Sequence, residues 1–110
     1  MASQDMYALA DFCLNPMGTE ASIAEYVAEC VRVVKKSGLK YHVHGYGTNI
    51  EGPWDDVVKA VQECHVAVHA KGAPRIHTDL RIGTRVDHKI VPGTGIENQV
   101  KRVEEILAKE

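Results

Sequence analysis

Lys40-Tyr-His-Val-His-Gly-Tyr-Gly-Thr-Asn-Ile-Glu-Gly-Pro-Trp-Asp-Asp56 decides how this chain folds. Residues alternate from Lys40 to Tyr46, with Tyr41 and Val43 on one face and His42 and His44 on the other. This is the period of a half-buried strand. Gly45-Tyr46-Gly47 permits a tight reversal, and Thr48 to Glu51 continues as a second short strand, so the segment predicts a hairpin. That second strand runs directly into a helix. Gly52 is placed to act as N-cap and Pro53 as first helical residue, where a missing N–H costs nothing. Asp55 and Asp56 set negative charge against the positive end of the helix dipole. Such a hairpin joins two βαβ units if each flank supplies the rest of one.

Both flanks do. Upstream, residues 6–14 alternate: Met6, Ala8, Ala10, Phe12 and Leu14 share one face, and Tyr7, Leu9, Asp11 and Cys13 the other. Asn15-Pro16-Met17-Gly18 is expected to break the strand. Ser22-Ile-Ala-Glu25 matches a capping box. Ile23, Tyr26, Val27, Cys30, Val31 and Val34 follow at helical spacing, and Lys35, Lys36 and Gly38 suit the C-terminal end, giving a helix over residues 22–37. Downstream, Trp54, Val57, Val58, Val61, Cys64, His65 and Val68 keep the helical period until Gly72 and Pro74 end it. Arg75 to Arg85 alternates, with Ile76, Thr78, Leu80 and Ile82 apolar. Thr94-Gly-Ile-Glu97 reads as a second capping box, opening a terminal amphipathic helix that carries Ile96, Val100, Val103 and Leu107. The order β-α-β-β-α-β-α predicts an α+β, ferredoxin-like βαββαβ domain over residues 1–110. It has an additional C-terminal helix and an antiparallel sheet with helices on one face.

The chain has 110 residues, 45% of them hydrophobic, and a formal net charge of −2. That balance gives no electrostatic footprint for nucleic acid. No apolar run approaches the roughly 20 residues of a membrane span. Residues 1–5 lack the basic and apolar regions of a secretory leader. A cytoplasmic protein with neither nucleic-acid nor membrane partners is expected. Cys13, Cys30 and Cys64 are an odd number at wide spacing with no Cys-x-x-Cys, so they read as reduced, small apolar residues.

Helices on one face leave the other open. The open face is expected to collect Asp11, His42 and His44, Glu51 or Asn49, and His77, Asp79 and Arg81, with Tyr7, Leu9 and Cys13 among them. Histidine and aspartate interleaved with apolar residues suggest an interface or a pocket. His42-x-His44 has a spacing suited to a metal, but two ligands are not a site. His65-x-x-x-His69 shares a helix face, yet Val66 stands where a zinc protease needs its general base. His65 then reads as a partly buried, hydrogen-bonded histidine. His88 reads as a solvated loop residue. Neither a nucleophile with its base nor a phosphate-binding loop is present. No catalytic residue, resident metal or required cofactor is expected, and the chain reads as a non-enzyme. Arg81-Ile-Gly-Thr-Arg85 suits an anion clamp, or equally pairing with Asp79, Glu51 or carboxylates of another subunit. Of the decapeptide 47–56, helix-start chemistry accounts for Gly52, Pro53, Asp55 and Asp56, and Trp54 begins an apolar stripe. Glu51 remains, because no capping role is evident for it.

Three stretches together, Ala10-Asp-Phe-Cys-Leu-Asn-Pro-Met-Gly-Thr19, Thr48-Asn-Ile-Glu-Gly-Pro-Trp-Asp-Asp-Val57 and Arg75-Ile-His-Thr-Asp-Leu-Arg-Ile-Gly-Thr-Arg85, resemble the small thiamine-binding protein family, also described as YkoF-like. The resemblance spans nearly the whole chain and is nearest to the single-domain branch, with Gly-Pro-Trp-Asp-Asp similar to fungal members. It implies a ferredoxin-like fold, two-fold dimers joining sheets, and association of dimers into tetramers. It also implies non-catalytic binding of thiamine or a related pyrimidine. A permanent thiazolium charge and an aminopyrimidine suit carboxylates and an aromatic face. Glu51, Asp11, His44, Asp79 and Tyr46 are therefore the expected ligand residues, near a subunit boundary. His42, His77, Arg81 and Arg85 are expected at an interface or an anion. Two other readings stand beside this one: an oligomer without a specific small ligand, and a metal-dependent enzyme using His42, His44 and a carboxylate.

Overall fold

The computed structural model describes residues 6–19 and 22–110. The elements follow in the order β1 (Tyr7–Met17), α1 (Ile23–Ser37), β2 (Lys40–His44), β3 (Gly47–Pro53), α2 (Trp54–Lys71), β4 (Arg75–Gly83) and α3 (Gly95–Ala108). The strands form one sheet in the order β2-β3-β1-β4, and every neighbouring pair is antiparallel. This is the ferredoxin-like arrangement with an additional C-terminal helix, as the sequence pattern predicts. Residues 1–5, read above for a leader, lie outside the described residues.

The apolar strand faces meet α1 and α2. Ala8, Ala10, Phe12 and Leu14 of β1 and Ile50 of β3 are buried with Tyr26, Cys30 and Val34 of α1 and Val57, Val61, Cys64 and Val68 of α2. Small alanines in the central strand let the helices approach the sheet closely. The Cys64 thiol donates to the Cys30 carbonyl at 3.7 Å, and its hydrogen bonding with Cys30, together with burial, pushes it up. Trp54 packs at the margin of this core. His65 bonds Thr78 Oγ1 at 2.7 Å across to β4, and burial with the neighbouring His69 holds it below its ordinary value.

Two local expectations change. β1 does not break at Asn15 but runs to Met17, with Pro16 opposite Ile76 of β4. The pairing of β1 with β3 ends at Phe12, so the strand beyond has an edge at which a missing N–H breaks no ladder. β3 likewise runs one residue past the expected N-cap. Gly52 and Pro53 still pair with Ala8 and Tyr7, Pro53 becomes the cap of α2, and the Trp54 N–H donates to the Met6 carbonyl at 2.7 Å. At α1 the Ser22 hydroxyl accepts from the Ala24 N–H at 3.3 Å, and Gly38 closes the helix at φ 78°.

Candidate functional site: the open face of the sheet

Register places one row of polar side chains straight across the uncovered face. Asn49 is opposite both His42 and Asp11, and Asp11 is opposite Arg81, so β2, β3, β1 and β4 each give one residue. Asp11 is the hub of this row. Its Oδ1 accepts from His44 Nε2 at 2.5 Å and from Asn49 Nδ2 at 3.0 Å. The Tyr46 N–H donates to His44 Nδ1 at 3.2 Å, which leaves the imidazole proton on Nε2. The two-residue turn at Gly45 and Tyr46 thereby fixes the tautomer that holds Asp11. Asp11 Oδ2 takes no hydrogen bond among the described residues, and the side chain is 43% exposed.

The next row contains Lys40, Glu51, Leu9 and Gly83. Glu51 is 1% exposed and is the cap of α3. Its Oε2 accepts from the Gly95 N–H at 2.9 Å and the Tyr7 hydroxyl at 2.6 Å, and its Oε1 accepts from the Ile96 N–H at 3.1 Å. The Tyr7 oxygen in turn accepts from the Gly93 N–H at 2.8 Å. A carboxylate at a helix N-terminus satisfies orphan amides and complements the dipole. Burial, then the bond to Glu51, pushes the Tyr7 phenol up to about 12. Thr94, expected to cap α3, instead donates to the Val91 carbonyl at 2.6 Å. The helix start lies so close to the sheet that a Cβ at Gly95 would collide with Leu9 and meet Glu51 Oε2 at 3.0 Å.

Fixed at its first turn, α3 roofs two adjoining depressions. A cavity of about 580 Å³ is bounded by Lys40, His42, Asn49, Ile96, Val100 and Glu104. Lys40 pairs with Glu97 at 2.6 Å on its margin, and the pair holds Lys40 above and Glu97 below their ordinary values. A shallower depression of about 280 Å³ lies over Asp11, Arg81, Leu9 and Ile82. Asn49 and Ile96 line both.

The expected site residues therefore separate. Asp11, His44 and Tyr46 are linked by hydrogen bonds, and His42 and Arg81 share the Asp11 row. Asp79 and His77 lie further along β4, opposite Cys13 and Asn15, and are exposed. Arg85 lies beyond β4, and its guanidinium grips Asp87 through two bonds of 2.7 and 2.6 Å, which raises Arg85 and lowers Asp87. Both ring nitrogens of His44 are engaged, and the described residues contain no group of three or more His, Cys, Asp or Glu arranged for a metal. Asn49 was legible only as an alternative to Glu51, although both fall on the open face. Alternation places Tyr7 on that face but carries no signal for its bond to Glu51. No helix among the described residues is long and apolar enough to cross a membrane.

Fold and site together define a class: a ferredoxin-like α+β fold whose open, polar sheet face is roofed at one end by a terminal helix. The chain belongs to the thiamine-binding protein family, whose model matches residues 10–104. It is 50% identical to the UPF0045 protein sll0230 of Synechocystis sp. over 99 residues, 90% of this chain and 78% of that protein. It is 41% identical to the UPF0045 protein ECM15 of the fungus Eremothecium gossypii over 83 residues, 74% and 79% of the two chains. The crystal structure of MJ1052 from Methanocaldococcus jannaschii superposes with a TM-score of 0.78 at 31% identity, covering 91% of this chain and 98% of that one. A Thermotoga maritima protein described as a candidate thiamine biosynthesis/salvage protein shares the fold, with a TM-score of 0.71 at 20% identity over 88% and 98% of the chains.

Proposed function

We propose that the chain binds thiamine or a related aminopyrimidine without transforming it, as a homo-oligomer, with the ligand on the open sheet face near a subunit boundary. The observation that carries this reading is Asp11: a carboxylate oriented through one oxygen by an imidazole and an amide, on a side chain that lines a depression. Family membership agrees with it. The free oxygen suits the exocyclic amino group of the pyrimidine, and the charge suits the thiazolium. Tyr46, 88% exposed at the adjoining turn, offers a ring for stacking on the aminopyrimidine. Arg81 opposes a cation at the same place, so Asp11 takes the pyrimidine amino group and the thiazolium lies to one side of it.

Self-association is supported by α3. Val100, Val103, Ile106 and Leu107 are each more than half exposed, and this much unpartnered apolar surface suits a second copy. A homodimer and a homotetramer made of two such dimers are the assemblies proposed, in the cytoplasm, with no cofactor required. His42, His77 and Asp79 are then available to a partner subunit.

Calorimetric titration with thiamine tests the reading. Saturable heat is expected, and Asp11→Asn should weaken it about tenfold or more, the order of one charge-assisted hydrogen bond. Absence of heat and of a thermal shift at millimolar thiamine sinks it.

A further inference from the structure

The exposed region between the loop after β4 and α3 has a different chemistry from the Asp11 row. A cavity of about 410 Å³ opens there, with Leu9 and Ile90 among its lining residues. Its polar lining is mostly basic: Arg85, His88, Lys89, Lys101 and Arg102, against the single carboxylate Glu105. Arg85 is already clasped by Asp87, but Lys89, Lys101 and Arg102 enter no ion pair among the described residues. The chain as a whole carries a net charge of −2, so this concentration of positive charge does not follow from bulk composition. Cations gathered at a concave, partly apolar site raise the local concentration of anions. The amides at the start of α3 play no part, because Glu51 already occupies them.

Leu9 joins this cavity to the Asp11 depression: it lines both, and it lies two residues from Asp11 on the same face of β1. A ligand seated with its heterocycle at Asp11 can extend past Leu9 toward the basic cluster. We propose that this cavity receives the phosphate end of a phosphorylated ligand, so that the site prefers a phosphate or diphosphate ester of the heterocyclic alcohol over the free alcohol. This inference rests on the thiamine reading above and adds the ligand's charge class to it. Lys101 and Arg102 hold the anion as flexible point-charge and fork donors from α3, and Lys89 approaches from the loop.

The test is a competition series with thiamine, thiamine diphosphate and inorganic diphosphate on the full chain, read by calorimetry at low salt and repeated at higher salt. The diphosphate ester should bind at least about tenfold more tightly than thiamine, with a margin that shrinks as salt rises. The double substitution Lys101→Gln, Arg102→Gln should remove that margin and leave thiamine affinity unchanged. Both residues are exposed, so the fold should be preserved, and the melting temperature checks this. Lys89→Gln, on the loop, should give a smaller loss in the same direction. Equal affinity for ester and alcohol, or a margin that survives the double substitution, overturns the inference while leaving the thiamine reading intact. Inorganic diphosphate binding as tightly as the ester also overturns it, by assigning the cavity to the free anion. If neither thiamine nor its ester gives heat, both readings fall together.

Discussion

The two faces of the sheet are built from the same strands by opposite rules. The helix-covered face is apolar and almost dry, with Ala8, Phe12, Ile50, Val34, Val57, Cys64 and Val68 at or near zero exposure. The open face is held by hydrogen bonds between residues far apart in sequence: His44 and Asn49 to Asp11, Tyr7 to Glu51, and Glu51 to the start of α3. The first face supplies stability through burial, which is non-directional and tolerant of where each side chain sits. The second fixes the orientation of individual polar atoms, which binding requires. A strand that alternates strictly can serve both purposes, because each substitution acts on one face at a time.

Substitutions sharpen that division. Phe12→Ala should have the largest effect, about 3–5 kcal/mol of unfolding free energy, because it empties a fully enclosed position. Denaturant titration measures it, and a loss under 1 kcal/mol would contradict the packed-face account. Glu51→Gln should cost about 1.5–3 kcal/mol, since one buried acceptor becomes a donor facing N–H groups. Hydrogen exchange should then quicken at Gly95 and Ile96 and leave α1 and α2 protected. Uniform quickening would mean that α3 is not separately pinned by this carboxylate. The smallest effect concerns pH. Because the Tyr7 phenol is raised from 10.0 to about 12, its contribution to stability is complete below pH 10 and is lost as pH climbs through 12. Spectrophotometric titration of the wild type minus Tyr7→Phe should show a phenol ionising above 10.0; an ionisation at or below that value would contradict the bond to Glu51.

Much of this was legible because local rules and the global fold agree. Alternation placed Asp11, His42, His44, Asn49, Asp79 and Arg81 on one face, and register confirms that placement without any knowledge of partners. Ser22 and Gly38 bounded α1 by capping chemistry alone. What escaped was long-range. Glu51 caps a helix that begins 44 residues later, and no sequence window joins Glu51 to Gly95. Thr94 had the right residue type for a cap, but its hydroxyl turns back to Val91 once Glu51 fills the helix end. Pro16 reads as a breaker until it is known that β1 lacks its β3 neighbour there. The ties from Asp11 to His44 and Asn49 depend on the register of strands that the sequence only orders.

The central claim is that the open face, and not the packed one, meets the ligand. Following backbone amide resonances while thiamine is added tests it most directly. Shifts are expected to concentrate at Leu9, Asp11, His44, Tyr46 and Asn49, to weaken in Asp11→Asn, and to spare Tyr26, Cys30, Val61 and Val68. Shifts centred on α1 and α2, or none at saturating thiamine, would contradict the account.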